Sequence, residues 1–194
     1  MNNTEEYRTA SHDIDPIYLK RWSPRSFLNK EVPNDVLLSV FEAARWAPSA
    51  ANIQPWHFVV AKTDEERAAF HSFIYEGNVE WCKKAPVLIA ITSKMDSDRF
   101  GDNITHAFDT GAAWGFLSLE AARKGLVTHG MGGFDRDKAR EVMQVPDNYA
   151  IHAIIALGYM GEKELLEEKL QEREKPSTRK EVEEFTSHGK FPNE

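Results

Sequence analysis

Apolar residues recur along the chain at two spacings, one typical of helices and one typical of strands. Between Asn34 and Pro48 they fall every three or four positions, which places them on one face of a helix. We expect Asn34 to cap this helix and Pro48 to end it. A longer pattern of the same kind covers 105–124 and stops before Gly125, a common residue just after a helix. Further helices are expected over 16–20, over 65–75 after a cap at Asp64, up to Met143 after a cap at Asp135 or Asp137, and over 162–174.

Short apolar runs between these helices predict strands. Residues 86–92 form a continuous apolar run bounded by a proline and by polar residues, as in a strand buried on both faces. Other strands are expected over 56–61, 126–129 and 149–157. The alternation taken alone favours a doubly wound parallel sheet, but the long apolar helices leave room for a helix-rich dimer. The class is mixed α and β around a central sheet.

Polar segments separate these elements. Residues 94–103 are expected to be a mobile connection, and 130–133 a glycine-rich loop. Residues 1–12 are expected to be loose and 175–194 to form a polar tail. No internal repeat is visible, and the length favours one domain over 1–194.

The long central helix carries a stripe of small residues. Gly111, Gly115, Ser118 and Ala122 are spaced by four, three and four, so they share one helix face. Two glycines inside a helix each cost about 1 kcal/mol against alanine, so a packing reason is expected. The stripe fits close packing within one subunit and a helix pair across a dimer interface equally well.

Composition excludes several classes of protein. The net charge of −7 argues against general nucleic-acid binding and against adhesion to membranes. The polar N-terminus is unlike a signal peptide, and no window is long and apolar enough to cross a bilayer. Cys82 is the only cysteine, which fits a reducing compartment, and we expect it to be an inert thiol beside Trp81. A cytoplasmic protein is expected.

A few polar residues are suited to an anionic, flat ligand. Arg21 and Arg25 flank Ser23, and arginine and serine donate well to phosphate, although a solvated basic turn is an alternative. Asn52 and Gln54 each offer a donor and an acceptor for the edge of a ring, although Asn52 also suits a turn. Gly132 and Gly133 could present backbone N–H groups or form a plain turn.

Several catalytic signatures are missing. The seven histidines have no metal-ligand spacing, and we expect no metal site. No phosphate-binding or dinucleotide-binding glycine motif and no serine-hydrolase elbow occurs. His129, just before the glycine loop, is the one histidine that could belong to a site. The charged run over 162–174 is most simply a solvated helix face.

Four segments, in order, resemble the nitroreductase family. Residues 21–27 resemble its Arg-x-Ser-x-Arg-x-Phe motif, and 43–60 resemble its Ala-Pro-Ser-x-x-Asn-x-Gln-Pro-Trp segment. Residues 109–134 resemble its central helix and Gly-Gly-Phe loop, and 177–180 resemble its late basic motif. The likeness extends from about 18 to 185.

The resemblance implies a fold and a cofactor. It implies an α+β sandwich around a mostly antiparallel sheet, an intertwined homodimer with FMN at the interface, and a tail, 175–194, that crosses to the partner. Trp22 stands where the family commonly has a basic residue, so a second cation side chain is not expected there, although its backbone could contact FMN. The implied FMN-binding residues are Arg21, Trp22, Ser23, Arg25 and Arg179 around the phosphate, ribityl chain and pyrimidine edge; Pro48, Ser49, Ala50, Asn52 and Gln54 from the partner subunit; and Met131, Gly132 and Gly133 at the other ring edge.

The resemblance also implies an activity. A hydride would pass from NAD(P)H to N5 of FMN and then to a nitroaromatic, quinone or similar acceptor in one pocket, by a ping-pong mechanism. No protein side chain is expected to be catalytic, and Arg25 would stabilise negative charge on the reduced ring. The alternatives are a specialised member such as a reductive dehalogenase or a flavin-destroying enzyme, with 94–106 as a short lid, a flavin-binding store or sensor without turnover, and a helical interaction protein.

Overall fold

The computed structural model describes residues 4–192, so residues 1–3 and 193–194 of the expected loose N-terminus and tail lie outside the described part. The strands are β1 (Trp56–Ala61), β2 (Val87–Lys94), β3 (Asp96–Ser97), β4 (Gly101–Asp102), β5 (Val127–Met131) and β6 (Tyr149–Gly158). The helices are α1 (Ile17–Lys20), α2 (Asn34–Arg45), α3 (Asp64–His71), α4 (Glu76–Cys82), α5 (His106–Arg123), α6 (Arg136–Met143) and α7 (Glu168–Gln171).

A four-stranded antiparallel sheet lies at the centre, in the order β1-β2-β6-β5. The doubly wound parallel sheet is therefore wrong, and the antiparallel sandwich implied by the family resemblance is confirmed. Residues of β2 alternate between two apolar clusters because successive side chains of a strand point to opposite faces. Val87, Ile89 and Ile91 join the cluster with α2 and α5, whereas Leu88 and Ala90 join the cluster with α3, α4 and α6.

Local hydrogen bonds place several helix ends differently from our expectation. Pro33 occupies the N-cap position of α2, so Asn34 is its first helical residue rather than its cap. Thr63 caps α3 through a reciprocal pair of hydrogen bonds with Glu66, so the cap is not Asp64. Asp135, rather than Asp137, caps α6 by accepting from the backbone N–H of Lys138.

Three segments differ more widely from the prediction. The helix expected over 65–75 ends at His71, and α4 follows it as a separate helix. The run 162–174 is not one solvated helix but a short 3-10 turn and α7, with Leu166, Leu170 and Glu174 buried. The connection 94–103 contains the small hairpin of β3 and β4.

The two glycines of the small-residue stripe make no close contact within the chain. A Cβ built on Gly111 or on Gly115 would have no heavy atom within 4 Å among the described residues. Close packing inside one subunit therefore does not explain these two glycines. Phe108, which is 80% exposed, lies three residues before Gly111 and on the same helix face.

Cys82 is fully buried, beside Trp81, which is buried as well. Burial raises the pKa of its thiol to about 12. The thiol is therefore protonated at neutral pH, as the expectation of an inert cysteine requires.

Candidate functional site

Six cationic side chains converge on one cavity of about 290 Å³. Arg21 follows α1, Arg25 lies in the extended segment after it, and Arg179 comes from the C-terminal tail. Trp22 and Ser23 line the same cavity, as expected. The remaining lining residues, which the sequence analysis did not assign to the phosphate, are Arg8, His129, Arg173, Lys175 and Ser177.

The guanidinium groups in this cavity crowd one another. Burial lowers the pKa of Arg21, and the positive charge of Arg179 lowers it further. Burial likewise lowers the pKa of Arg8, with further lowering by Arg179 and Arg21. The pKa of Arg25 is lowered by burial and by Arg173, against a smaller opposite effect of Glu174. Within residues 4–192, no carboxylate forms an ion pair with any of these five arginines. Such a cluster is suited to an anion.

The buried carboxylate of Glu174 holds the segment that carries Arg25. It accepts hydrogen bonds from the backbone N–H of Arg25, at 2.7 and 3.0 Å, and of Ser26, at 2.8 Å. The hydroxyl of Ser26 donates to the carbonyl of Glu162 at 2.6 Å. The segment after α1 is therefore fastened to the C-terminal part of the chain, which brings Arg25 and Arg173 to the same cavity.

His129 of β5 borders the cavity with a neutral ring. Its Nδ1 lies 2.9 Å from the carbonyl oxygen of Pro24, so Nδ1 carries the proton and donates. The ring packs against Trp81 with centroids 4.5 Å apart. Burial lowers its pKa, and the charge of Arg25 adds to the lowering. The ring thus places an uncharged group beside the cations.

The loop after α2 has a strained backbone. Ala51, Asn52 and Gln54 have φ of 49°, 57° and 52°, in the left-handed region that residues other than glycine rarely occupy. Such backbones persist where other contacts hold them, and they cluster at functional sites. Here the hydroxyl of Ser49 accepts from the backbone N–H of Gln54 at 2.8 Å.

Asp109 of α5 anchors this loop from below. Its Oδ2 accepts from the hydroxyl of Ser49 and from the backbone N–H of Ala50, both at 2.9 Å. The carboxylate is almost fully buried, at 3% exposure. The sequence analysis did not identify Asp109 as a site residue. An acidic residue within an apolar helical pattern was the available signal, because such a residue needs a partner when it is buried.

The loop and the cation cavity do not meet within one chain. Pro48, Ala50, Asn52 and Gln54 are exposed, and neither they nor Ser49 line the cavity. The structure therefore brings together one half of the expected site, the basic half, and leaves the loop facing outward.

The glycine segment after β5 is held by the turn before α4. Gly130 and Met131 belong to β5 rather than to a loop, and the side chain of Met131 is buried in the core. The carbonyl of Gly133 accepts from the backbone N–H of Tyr75 and from Nδ2 of Asn78, both at 3.2 Å. Gly132 is exposed. Only backbone groups of 132–133 are thus available to a ligand.

Metal and membrane sites receive no support in the described part of the chain. Residues 4–192 contain no group of three or more His, Cys, Asp or Glu side chains that could hold a metal ion. None of their helices combines the length and the apolar character that a bilayer crossing requires. A larger surface groove of about 750 Å³ lies between α2 and α3, but none of the expected site residues lines it.

A family model described as "Nitroreductase family" matches residues 18–80 and 66–159. The chain belongs to the nitroreductase family. A Thermus thermophilus protein named NADH dehydrogenase is 30% identical over 183 residues, covering 77% of this chain and 88% of that protein.

Solved structures agree with membership of the nitroreductase family. A crystal structure described as an oxidoreductase containing FMN is 38% identical, with a TM-score of 0.92 and coverage of 96% of this chain and 97% of that chain. An oxidized iodotyrosine deiodinase bound to FMN and 3-iodo-L-tyrosine is 20% identical, with a TM-score of 0.67 and coverage of 91% and 98%. The second likeness concerns the fold alone, and it illustrates that the nitroreductase fold serves more than one reaction.

Proposed function

We propose that this protein binds FMN at the cation cavity and acts as an NAD(P)H-dependent oxidoreductase. The observation that carries the proposal is a cluster of guanidinium groups without a carboxylate partner in the described chain. A phosphate monoester offers the charge and the several acceptor oxygens that such a cluster lacks. The related structure described as containing FMN supports this choice of anion.

The phosphate and ribityl end of FMN would be held by Arg21, Ser23 and Arg179. Arg25 would lie near the pyrimidine edge of the ring, and Trp22, which is 6% exposed, would contribute its backbone. A guanidinium at the pyrimidine edge favours negative charge on the ring and so raises its reduction potential. His129 borders the same cavity as an uncharged neighbour.

A second copy of the chain would supply the rest of the site. Pro48, Ser49, Ala50, Asn52 and Gln54 are held by Asp109 but face away from the cavity of their own chain. The exposed face of α5, with Phe108 next to Gly111 and Gly115, supports a helix pair between two copies. Gly132 and Gly133 would present backbone groups, with Met131 beneath them, at the other ring edge. The tail over 175–194 would contribute Arg179 and then cross to the partner.

Bound FMN supplies the redox chemistry, in which its ring takes a hydride from NAD(P)H and then reduces a nitroaromatic, quinone or similar acceptor in the same pocket. The protein residues bind and orient, and none is required as a nucleophile. The Thermus thermophilus relative, named NADH dehydrogenase, supports a nicotinamide donor. A cytoplasmic location is proposed because the one cysteine is a buried, protonated thiol.

The test is FMN uptake and turnover by the purified protein. We expect a yellow protein that oxidises NADH when nitrofurazone or menadione is present. We expect Arg21→Ala to weaken FMN binding by about 1.5–3 kcal/mol, because it removes a charged hydrogen-bond donor to phosphate. A protein that takes up no FMN would overturn the proposal. FMN binding without turnover with any acceptor would favour a store or sensor instead.

A further inference from the structure

Arg8 lies outside the expected FMN-binding residues, yet its guanidinium lines the cation cavity. We propose that Arg8 is a phosphate-binding residue of this site, and that it also fastens the N-terminal segment to the tail that carries Arg179. The proposal rests on the FMN function given above and names a contact that this function does not include.

Three backbone carbonyls hold the guanidinium of Arg8 in place. Its Nη1 donates to the carbonyls of Leu19 and Arg21, at 3.0 and 2.7 Å, and its Nε donates to the carbonyl of Ser177 at 2.9 Å. A guanidinium has five N–H groups. The two on Nη2 have no hydrogen bond to any residue in 4–192. Arg8 is thus oriented by the protein while keeping a pair of donors for a ligand.

The same hydrogen bonds connect Arg8 to the other cations. One of them accepts at the backbone of Arg21 itself. Another accepts at Ser177, whose hydroxyl in turn accepts from Nη1 of Arg179 at 2.8 Å. One side chain therefore sets the positions of two segments that come from opposite ends of the chain.

The charges explain why an anion belongs here. The pKa of Arg8 is lowered by burial, by Arg179 and by Arg21, so each of the three charges is unfavourable for the others. Phosphate carries nearly two negative charges at neutral pH and has oxygens for several donors at once. A phosphate between these three guanidinium groups would relieve the repulsion, and riboflavin, which lacks the phosphate, would not.

This difference between FMN and riboflavin separates phosphate binding from a purely structural role. If Arg8 contacts the phosphate, Arg8→Ala should weaken FMN binding by about 10- to 100-fold and leave riboflavin binding nearly unchanged. Arg8→Lys should recover part of the FMN affinity, because it keeps the charge but loses the fork. Binding is measured by quenching of flavin fluorescence in titrations of the apoprotein.

Arg140 provides a matched control. Its guanidinium also donates to three carbonyls, those of Val145, Pro146 and Tyr149, at 3.1, 2.6 and 2.8 Å, but it does not line the cation cavity. Arg140→Ala therefore removes an equivalent set of structural hydrogen bonds. It should lower the melting temperature without changing the ratio of FMN affinity to riboflavin affinity.

The outcomes distinguish this proposal from the proposed function. A loss of affinity confined to FMN in Arg8→Ala supports a phosphate contact. Equal losses for FMN and riboflavin, or no loss for either, would overturn it. If the wild type binds neither flavin, the FMN function fails, and inorganic phosphate then decides about Arg8. A melting temperature that phosphate raises in the wild type but not in Arg8→Ala supports the anion contact, and equal shifts reject it.

Discussion

Asp109 and Ser49 are joined by a hydrogen bond of 2.9 Å between the carboxylate and the hydroxyl, across 60 positions of sequence. The same carboxylate oxygen accepts from the backbone N–H of Ala50 at 2.9 Å. Helix α5 therefore holds the strained loop that follows α2. If the loop contacts FMN across the dimer, Asp109 positions those contacts without touching the ligand.

Asp109→Ala should loosen this loop. The substitution leaves a hydroxyl and a backbone N–H without their charged acceptor, at a cost of about 1.5–3 kcal/mol of unfolding free energy. Asp109→Asn retains an acceptor oxygen and should cost less. Urea denaturation measures both values, and limited proteolysis tests whether 48–55 becomes accessible. Equal stability of Asp109→Ala and the wild type would contradict the anchoring role.

The sheet could be predicted from local pattern because its strands are buried in a regular way. The boundaries of β1 are as expected, and β2 is apolar at nearly every position because both of its faces are covered. Strand direction could not be deduced from alternation, and only the resemblance to the family supplied it. The cap of α3 was misplaced by one residue, because Thr63 and Asp64 are both good caps and the choice depends on the partner, Glu66.

The basic site was predicted only where a motif marks it. Arg21, Ser23 and Arg25 lie close together in sequence, so their common role is visible. Arg8 and Glu174 carry no such signal, because their partners are distant: Arg8 bonds to Ser177, 169 positions away, and Glu174 to Arg25, 149 positions away. Tertiary contacts of this kind turn an apparently solvated charge into a buried one.

Gly133→Ala should destabilise the glycine segment. The added Cβ would lie 2.8 Å from Nδ2 of Asn78, so that amide must move and give up its hydrogen bond to the carbonyl of Gly133. The lost hydrogen bond corresponds to about 0.5–1.5 kcal/mol of unfolding free energy. Gly132→Ala is the matched control, because a Cβ there would have no neighbour within 4 Å in the described chain. Equal stabilities of the two variants in urea would contradict this packing.

The neutral ring of His129 should make the protein less stable in acid. Because burial lowers its pKa in the folded protein, the unfolded chain takes up a proton at higher pH than the folded chain. Stability is therefore unaffected well above the unfolded value of about 6.5 and is lost as the pH falls below it, by at most about 1.4 kcal/mol per pH unit.

His129→Asn removes this contribution, so its unfolding free energy should fall less steeply between about pH 7 and pH 5. Part of the slope will remain, because the pKa values of His71 and His152 are also lowered by burial. Urea denaturation at a series of pH values measures the slope. A variant with the same slope as the wild type would show that His129 is protonated alike in both states.

Gly115→Leu should weaken self-association while leaving the single chain folded. A Cβ on Gly115 has no neighbour within 4 Å in the described chain, so leucine is accommodated within one subunit and favours the helix by nearly 1 kcal/mol. In the proposed dimer, the same face of α5 packs against a second copy, and a leucine there keeps the two helices apart. Sedimentation equilibrium measures the dissociation constant.

Gly77→Leu is the matched substitution for this test. Gly77 is an exposed helical glycine in α4, and a Cβ there also has no neighbour within 4 Å in the described chain. Both variants therefore make the same change of side chain in an open helical position, and only Gly115 lies on the face proposed to pair. We expect Gly77→Leu to associate as the wild type does. If both variants retain the wild-type dissociation constant, this face of α5 is not the dimer contact, and the loop over 48–54 must reach FMN by another arrangement of the two chains.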